Sequence, residues 1–305
     1  MFLFLIVTKL ISGLGNQLFQ YAIGRQLSLA KEVPLKLDLS FFKSQDLRSY
    51  KLNHYHINAE IATTADIVPF RKEINRYQKL HQQTSFFAKV YRNVEPVLFP
   101  KHTKNYFKEH IWWILEPDVF KTPANVYVEG YWQHYKYFEN VQPQIFEELT
   151  LKEPLDTKAA AWLSAIKTDK SSVAVHIRRG DYVTDSNANY LMGVLPMEYY
   201  QKAIHYLKQK VSKPSFYFFS DDLEWVKENI KTDAATYYVD GNTDYVDLDL
   251  MRQCSNNIIA NSTFSWWGAF LNRNPNKIVI APEKWSARED VNKSIQLQFP
   301  SWIKL

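Results

Sequence analysis

The chain has 305 residues, 46% of them hydrophobic and 23% charged, with a formal net charge of +5. That length supports a sizeable core and two domains, and the composition is ordinary for a soluble globular protein. So small and dispersed a positive charge favours anionic ligands and does not mark a nucleic-acid binder. A single cysteine, Cys254, excludes an intramolecular disulfide and fits a reducing compartment; its place at the end of a helix-like run reads as a buried structural thiol.

The N-terminal "MFLFLIV" is apolar, but it lacks the basic flank of a signal peptide and the roughly 20 residues of a membrane span. It predicts a first buried strand in a chain that does not cross a membrane. In "SGLGNQLFQYAIGRQLSLAKE", Leu18, Tyr21, Ala22, Arg25 and Leu29 fall near helical spacing. Val33, Leu35, Leu37 and Leu39 then alternate with Pro34, Lys36 and Asp38 at strand period. The unit reads as β–turn–α–β, with parallel strands and a right-handed crossover. Its "GLGNQL" looks like a dinucleotide fingerprint with Asp38 as the ribose acid, but Leu18 stands where the third glycine belongs, which demotes a nicotinamide cofactor. What survives is a tight turn at Gly13 and Gly15 that lets backbone approach a ligand, with Asn16 and Gln17 as neutral hydrogen-bonding groups. A compact βα turn without a ligand uses the same residues.

Residues 60 to 150 are aromatic and charged, and strand and helix suit them equally. Trp112, Trp113 and Trp132 there fit an acceptor groove or a core. His54 and His56 lack further ligands at metal spacing, so no zinc site is assigned.

From "SVAVHI" to "KIVIAP", five short apolar strands alternate with helical runs, which argues for a parallel, doubly wound sheet. Such sheets bind ligands beyond the carboxyl ends of their strands. Three polar clusters fall there: His176 with Arg178, Arg179, Gly180 and Asp181; Ser220, Asp221 and Asp222; and Asn261, Ser262, Thr263, Phe264 and Ser265. Asn261, Ser262 or Thr263 can cap the following helix, whose N-terminal N–H groups make an anion site. An arginine from a neighbouring strand end adds charge-assisted, bidentate contacts to the same phosphate. A cap alone explains one cluster; three at one edge point to a phosphate site. Asp247 and Asp249 lie within an amphipathic helical run and read as a solvated helix face, not a metal pair. The "RGD" at Arg179 to Asp181 is tied to a buried strand end, which disfavours adhesion, and the glycosylation-like triplets at Asn261 and Asn292 read as chance.

"GLGNQLFQYAIGRQL", "VAVHIRRGDYV", "FYFFSDDLEWVKENI" and "NNIIANSTFSWWGAFLN", in this order, closely resemble the α-1,2-fucosyltransferases of glycosyltransferase family 11; "APEKW" and "FPSWIKL" look similar too. The arginine motif is also related to those of α-1,6- and protein O-fucosyltransferases. The resemblance implies a GT-B-like α/β fold of two Rossmann-like doubly wound domains facing across a cleft. The expected domains are an acceptor-side one at residues 1–155 and a GDP-fucose-binding one at residues 156–305. It further implies an inverting transfer of L-fucose from GDP-L-fucose to a galactose 2-hydroxyl, with no metal and no cofactor beyond the donor substrate.

Carried over by motif, Arg178 holds the diphosphate and His176 and Asp181 shape the nucleotide site. Ser220, Asp221 and Asp222 form a second donor motif, and Asn261, Ser262, Thr263, Phe264 and Ser265 the third. Gly13, Gly15, Asn16 and Gln17 face the reaction centre from the other domain. Asp181 and Asp185 are the nearest candidates for a base, unless the departing phosphate takes the proton. The acceptor that the resemblance implies is a galactose-terminated oligosaccharide or lipid-linked glycan. The setting expected from the resemblance is a bacterial cytoplasm, with peripheral membrane contact and surface-polysaccharide precursors as acceptors. A non-catalytic sugar-nucleotide or glycan-binding module of the same fold is the main rival, and a nicotinamide-dependent oxidoreductase the lesser one.

Overall fold

A computed structural model describes residues 4–82 and 104–305. The chain divides into two compact units, Met1–Leu149 and Thr150–Leu305.

The first unit carries strands β1 (Ile6–Lys9), β2 (Leu35–Asp38), β3 (Glu60–Ile61), β4 (Tyr106–Lys108) and β5 (Val126–Glu129). All pair in parallel, in the order β3-β2-β1-β5-β4. Helix α1 (Leu14–Lys31) makes the crossover that the N-terminal pattern predicts, burying Leu18, Phe19, Ala22, Ile23 and Leu27. A side chain at Gly24 would collide with Thr8 of β1 and Leu35 of β2. Gly24, not position 18, is therefore the glycine that lets this helix lie close on its sheet. In the stretch left unassigned by pattern, helix α2 (Arg71–Gln82) sends Ile74 and Tyr77 against Val7, Phe70, Tyr106 and Tyr127. Part of that stretch, residues 83–103, lies outside the described residues.

The second unit has six parallel strands: β6 (Ser172–Ile177), β7 (Ser215–Ser220), β8 (Ala235–Tyr238), β9 (Asn256–Ile258), β10 (Val279–Ala281) and β11 (Ile303–Lys304). Their order is β11-β10-β9-β6-β7-β8. One strand more than the alternation predicts, β11, comes from the short "FPSWIKL" ending, which pairs with β10 at Ile280↔Ile303. The order reverses between β6 and β9, the place where doubly wound sheets open a crevice for ligands.

Period-2 alternation in β6 explains how both faces are covered. Val173, Val175 and Ile177 pack with Tyr199, Tyr200, Ile204 and Leu207 of helix α6 (Met197–Lys210). Ala174 faces the other way, toward Ile166 of α3 (Thr157–Thr168) and Leu250, Met251 and Cys254 around α8 (Asp244–Gln253). Between these lie α4 (Gly180–Thr184), α5 (Ser186–Leu191), α6 (Met197–Lys210) and α7 (Leu223–Asn229); α9 (Thr263–Phe270) follows β9. Each fully buried Leu, Ile, Val or Phe contributes about 1.5–3 kcal/mol, so this two-sided burial fixes strand register.

Two expectations change. The acidic face of α8 is not solvated: Asp249 is 9% exposed and pairs with Arg252 at 2.7 Å, and burial pushes Asp247 up to about 6. The helix packs with Leu248, Leu250 and Met251 buried, which draws the carboxylates on either side of Leu248 under cover. Asp38, weighed as a ribose acid, instead accepts the Tyr127 hydroxyl at 2.6 Å and the Ser40 N–H at 2.8 Å. Among the described residues no helix is long and apolar enough to cross a membrane.

Candidate functional site

Register brings the polar clusters of the second unit together. Ile177 pairs with Ser220, and Val175 with Ile258, so one residue further along, Arg178 emerges beside Asp221 and on the β9 side near Asn261. Its guanidinium reaches Asp181 Oδ1 at 2.6 Å through Nη2 and Asp221 Oδ2 at 2.7 Å through Nη1. The Tyr182 ring lies 5.7 Å from the guanidinium, and its hydroxyl donates to the Asn261 carbonyl at 3.1 Å. Arg178 thus joins the first two clusters directly, and Tyr182 connects them to the third. Glycine at position 180 leaves room for this arrangement, because a Cβ would sit 2.5 Å from Asp221 Oδ2 and push that carboxylate aside.

Arg179 points to the other side of the turn. Its N–H donates to Asp221 Oδ1 at 2.9 Å, its Nε to Asp222 Oδ2 at 2.9 Å, and its guanidinium lies 3.9 Å from the Trp225 ring centroid. Asp222 also caps α7 through the Trp225 N–H at 3.2 Å, and its own N–H donates to Ser220 Oγ. The bond from Arg179 holds the Asp222 acid below its usual range. Arg179 therefore braces the start of α7, a role its sequence context did not reveal.

Ser262 caps α9, its Oγ accepting the Phe264 N–H at 3.3 Å, while Ser265 Oγ donates to the carbonyls of Ala260 and Ser262. Asn261 has a different task. Its buried Nδ2 donates to the carbonyls of Met192, Gly193 and Trp285 at 2.9–3.2 Å, tying three loops to the end of β9. His176 lies beneath, its ring 5.3 Å from that of Phe264. Burial drives its pKa down to about 3, with Asp221 opposing and Arg178 adding, so the imidazole is neutral. The edge is a strand-end arginine with N–H groups to spare beyond its two carboxylate contacts, next to the N-terminus of a capped helix. That pairing suits a phosphate or diphosphate.

Asp185 stands apart from this cluster. It is exposed, and its Oδ1 caps α5 by accepting the N–H groups of Asn187 at 2.8 Å and Ala188 at 3.3 Å. Asparagine caps equally well, so Asp185→Asn is expected to keep catalytic activity within about threefold and Tm within about 2 °C. Loss of more than about tenfold in kcat would give its carboxylate a chemical role.

In the first unit, the turn after β1 is left-handed at Ser12 (φ 68°), whereas Gly13 has φ −79°. A Cβ at Gly13 would meet nothing within 4 Å, so packing in this unit does not demand glycine there. The buried Gly15 belongs to the first turn of α1. Asn16 bonds Ser12 Oγ and Gln133 Nε2, and Gln17 bonds the backbone of Ser12, Ser49 and Lys51. Gln20, which sequence reasoning passed over, accepts the Ile11 N–H and donates to the Gly130 carbonyl. The signal was present: three amides on a helix face that is otherwise apolar. Trp132 is wholly buried against Phe107 and Tyr137, which assigns it to the core.

Comparison with known proteins agrees with this picture. The description "Glycosyl transferase family 11" matches residues 6–305. The Escherichia coli O-antigen biosynthesis glycosyltransferase WbnK is 34% identical over 96% of this chain and 98% of its own. An alpha-1,2-colitosyltransferase from the same organism is 33% identical over 94% of each chain. Human galactoside alpha-(1,2)-fucosyltransferase 1 is 29% identical over 60% of this chain and 54% of its own. Among solved structures, the NodZ alpha-1,6-fucosyltransferase superposes with a TM-score of 0.50 at 14% identity, over 88% of this chain and 92% of that one. This last likeness is one of fold, the GT-B-like α/β class that the motifs imply. With a match that runs from β1 to the final residue and two near full-length relatives that transfer sugars, the chain belongs to glycosyl transferase family 11 and is a glycosyltransferase.

Proposed function

We propose that the protein is an inverting galactoside α-1,2-fucosyltransferase, moving L-fucose from GDP-L-fucose to the 2-hydroxyl of a galactose in a glycan acceptor. The donor binds at the carboxyl edge of the second unit, and the first unit serves the acceptor. The observation that carries the reading is Arg178 at the β6–β9 reversal, beside the N-terminus of α9. In the reaction the galactose oxygen attacks the fucose C1 and the bond from C1 to the phosphate oxygen breaks. GDP leaves with the electron pair, and the hydroxyl proton passes to a base or to the departing phosphate. Arg178 and the α9 N–H groups stabilise the charge that develops on GDP. Asp181 and Asp221 grip Arg178 and fix its fork, which makes them positioning residues in this scheme. Asp185, spent on a cap, is left without a part in the chemistry. The E. coli relatives, one of them in O-antigen biosynthesis, support a bacterial setting; a cytoplasmic location and a galactose-terminated oligosaccharide or lipid-linked acceptor belong to the proposal.

One observation favours a second donor: a relative at 33% identity is an alpha-1,2-colitosyltransferase. Colitose is fucose without its 3-hydroxyl, so GDP-L-colitose would use the same phosphate contacts. Parallel assays with GDP-L-fucose and GDP-L-colitose on galactose-terminated oligosaccharides, with the product linkage read by NMR, decide between them. The expected result is GDP release with an α1→2 fucosylated product. Turnover from GDP-L-colitose alone would replace the donor, and GDP binding without turnover of either would favour the binding module. Thermal protection by NAD in place of GDP would revive the oxidoreductase.

A further inference from the structure

Glu109, at the carboxyl end of β4, is a buried carboxylate to which the chemistry above gives no task; it is 7% exposed. Its Oε2 accepts the Tyr131 N–H at 2.6 Å, and the Trp132 N–H lies 3.0 Å from Oε2 and 3.2 Å from Oε1. Gly130, immediately before them, has no room for a side chain: a Cβ would be 2.5 Å from Glu109 Cβ and 2.9 Å from Trp132 Cε2. Trp132 itself is left-handed at φ 57°, uncommon for so bulky a residue. One carboxylate therefore holds the loop after β5 in a conformation that its own sequence disfavours. Such local strain is retained where surrounding structure over-determines it, often at functional sites.

The loop leads to a partly exposed aromatic surface. The Tyr131 ring meets that of Trp112 at 6.2 Å, and Trp112 meets Trp113 edge-on at 4.9 Å. All three are half-buried, and Ile111 and Ile114 beside them are 40% and 38% exposed. They follow β4 and β5 at the carboxyl edge, and β5 borders the reversal of strand order at β1. Gln133, next in the loop, is 6% exposed; its Nε2 bonds Asn16, while its buried Oε1 has no partner among the described residues. Aromatic rings with polar tips suit a ligand with C–H faces and hydroxyl groups, which is the chemistry of a pyranose, and the unmatched amide oxygen lies two residues after Tyr131 in the same loop.

We propose that Trp112, Trp113 and Tyr131 form the face on which the acceptor sugar stacks, and that Glu109, as a carboxylate, is the positioning residue that sets this face. The proposal rests on the glycosyl-transfer reading above. Glu109 is faced by Glu116 and by the phenols of Tyr131 and Tyr137, while its strand neighbour Lys108 pairs with Glu129 at 2.9 Å. Burial pushes Glu109 up from 4.5 to about 7; the Trp132 and Tyr131 N–H groups oppose, and Glu116 adds. A folded-state value above the unfolded one means the fold is more stable with this group protonated, a gain lost as pH rises from about 4.5 to about 7. The charged form is the stronger acceptor for both N–H groups, so acceptor binding should weaken as pH falls through about 7.

The test is an acceptor titration of the full chain at saturating donor, between pH 6 and 8.5, with GDP affinity measured by calorimetry alongside. In the wild type, acceptor KM is expected to rise as pH falls. Glu109→Gln should raise acceptor KM roughly tenfold at pH 8 and flatten that acid limb, and Trp112→Ala should raise KM similarly while keeping the limb. GDP affinity should be unchanged in both. Gly130→Ala, which keeps the carboxyl group but forces it off the loop, should reproduce Glu109→Gln and stands in for it if that variant does not fold. Wild-type acceptor KM in these variants, with the acid limb in place, overturns the proposal. A wild type that binds no GDP or transfers no sugar would instead overturn the functional reading beneath it.

Discussion

Arg178→Ala is expected to lower kcat by about 10²–10³ or more, with the far-UV circular dichroism of the folded chain retained. The guanidinium is the group of the β6 turn best placed to meet a leaving diphosphate. It is held there by Asp181 at 2.6 Å and Asp221 at 2.7 Å. Its side chain is 24% exposed, so losing these ion pairs should cost only about 1 kcal/mol of stability. Removing it also leaves Asp181 and Asp221 where an incoming diphosphate would meet negative charge alone. GDP affinity should therefore fall together with rate. Arg178→Lys separates the two effects: a point charge can restore part of the affinity, but it lacks the planar fork and should remain slow. Near-normal turnover by Arg178→Ala would remove the diphosphate from this edge.

Asn261→Ala should destabilise the second unit more than any substitution of an exposed site residue. Three carbonyls, those of Met192, Gly193 and Trp285, depend on one buried amide. Losing it leaves buried acceptors unsatisfied, at a cost of about 2–4 kcal/mol, which corresponds to a fall in Tm on the order of 5–10 °C. Asn261→Asp is the harsher version, since an oxygen would then face those carbonyls. Both are read by thermal denaturation with and without GDP. If Asn261→Ala keeps the wild-type Tm but loses GDP binding, its amide serves the ligand and not the loops.

Much of the second unit was legible because its strands are short, apolar and separated by amphipathic helices, and because parallel sheets place ligands at one edge. That logic groups Arg178, Asp221 and Ser262 from the sequence alone. It could not divide the labour inside each cluster, because neighbouring residues on a turn diverge in direction. Arg178 turns to Asp181 and Asp221, whereas Arg179 turns to Asp222 and Trp225. Asn261 and Ser262 likewise part company, one fastening loops and the other capping α9. In the first unit, β3 and β4 have only two and three residues. Strands so short carry little periodicity, and their pairing with β2 and β5 is a long-range outcome that local pattern does not encode. Glu109 escaped notice for a related reason: it belongs to no motif, and its meaning lies in backbone N–H groups more than 20 residues away.

Calorimetric titration of GDP into the wild type and into Arg178→Ala tests the central assignment most directly. Saturable binding by the wild type, weakened about a hundredfold or more by the substitution, is the predicted result. Equal affinity in the two proteins, or no binding of GDP by either, would contradict a GDP-sugar site at the carboxyl edge of β6.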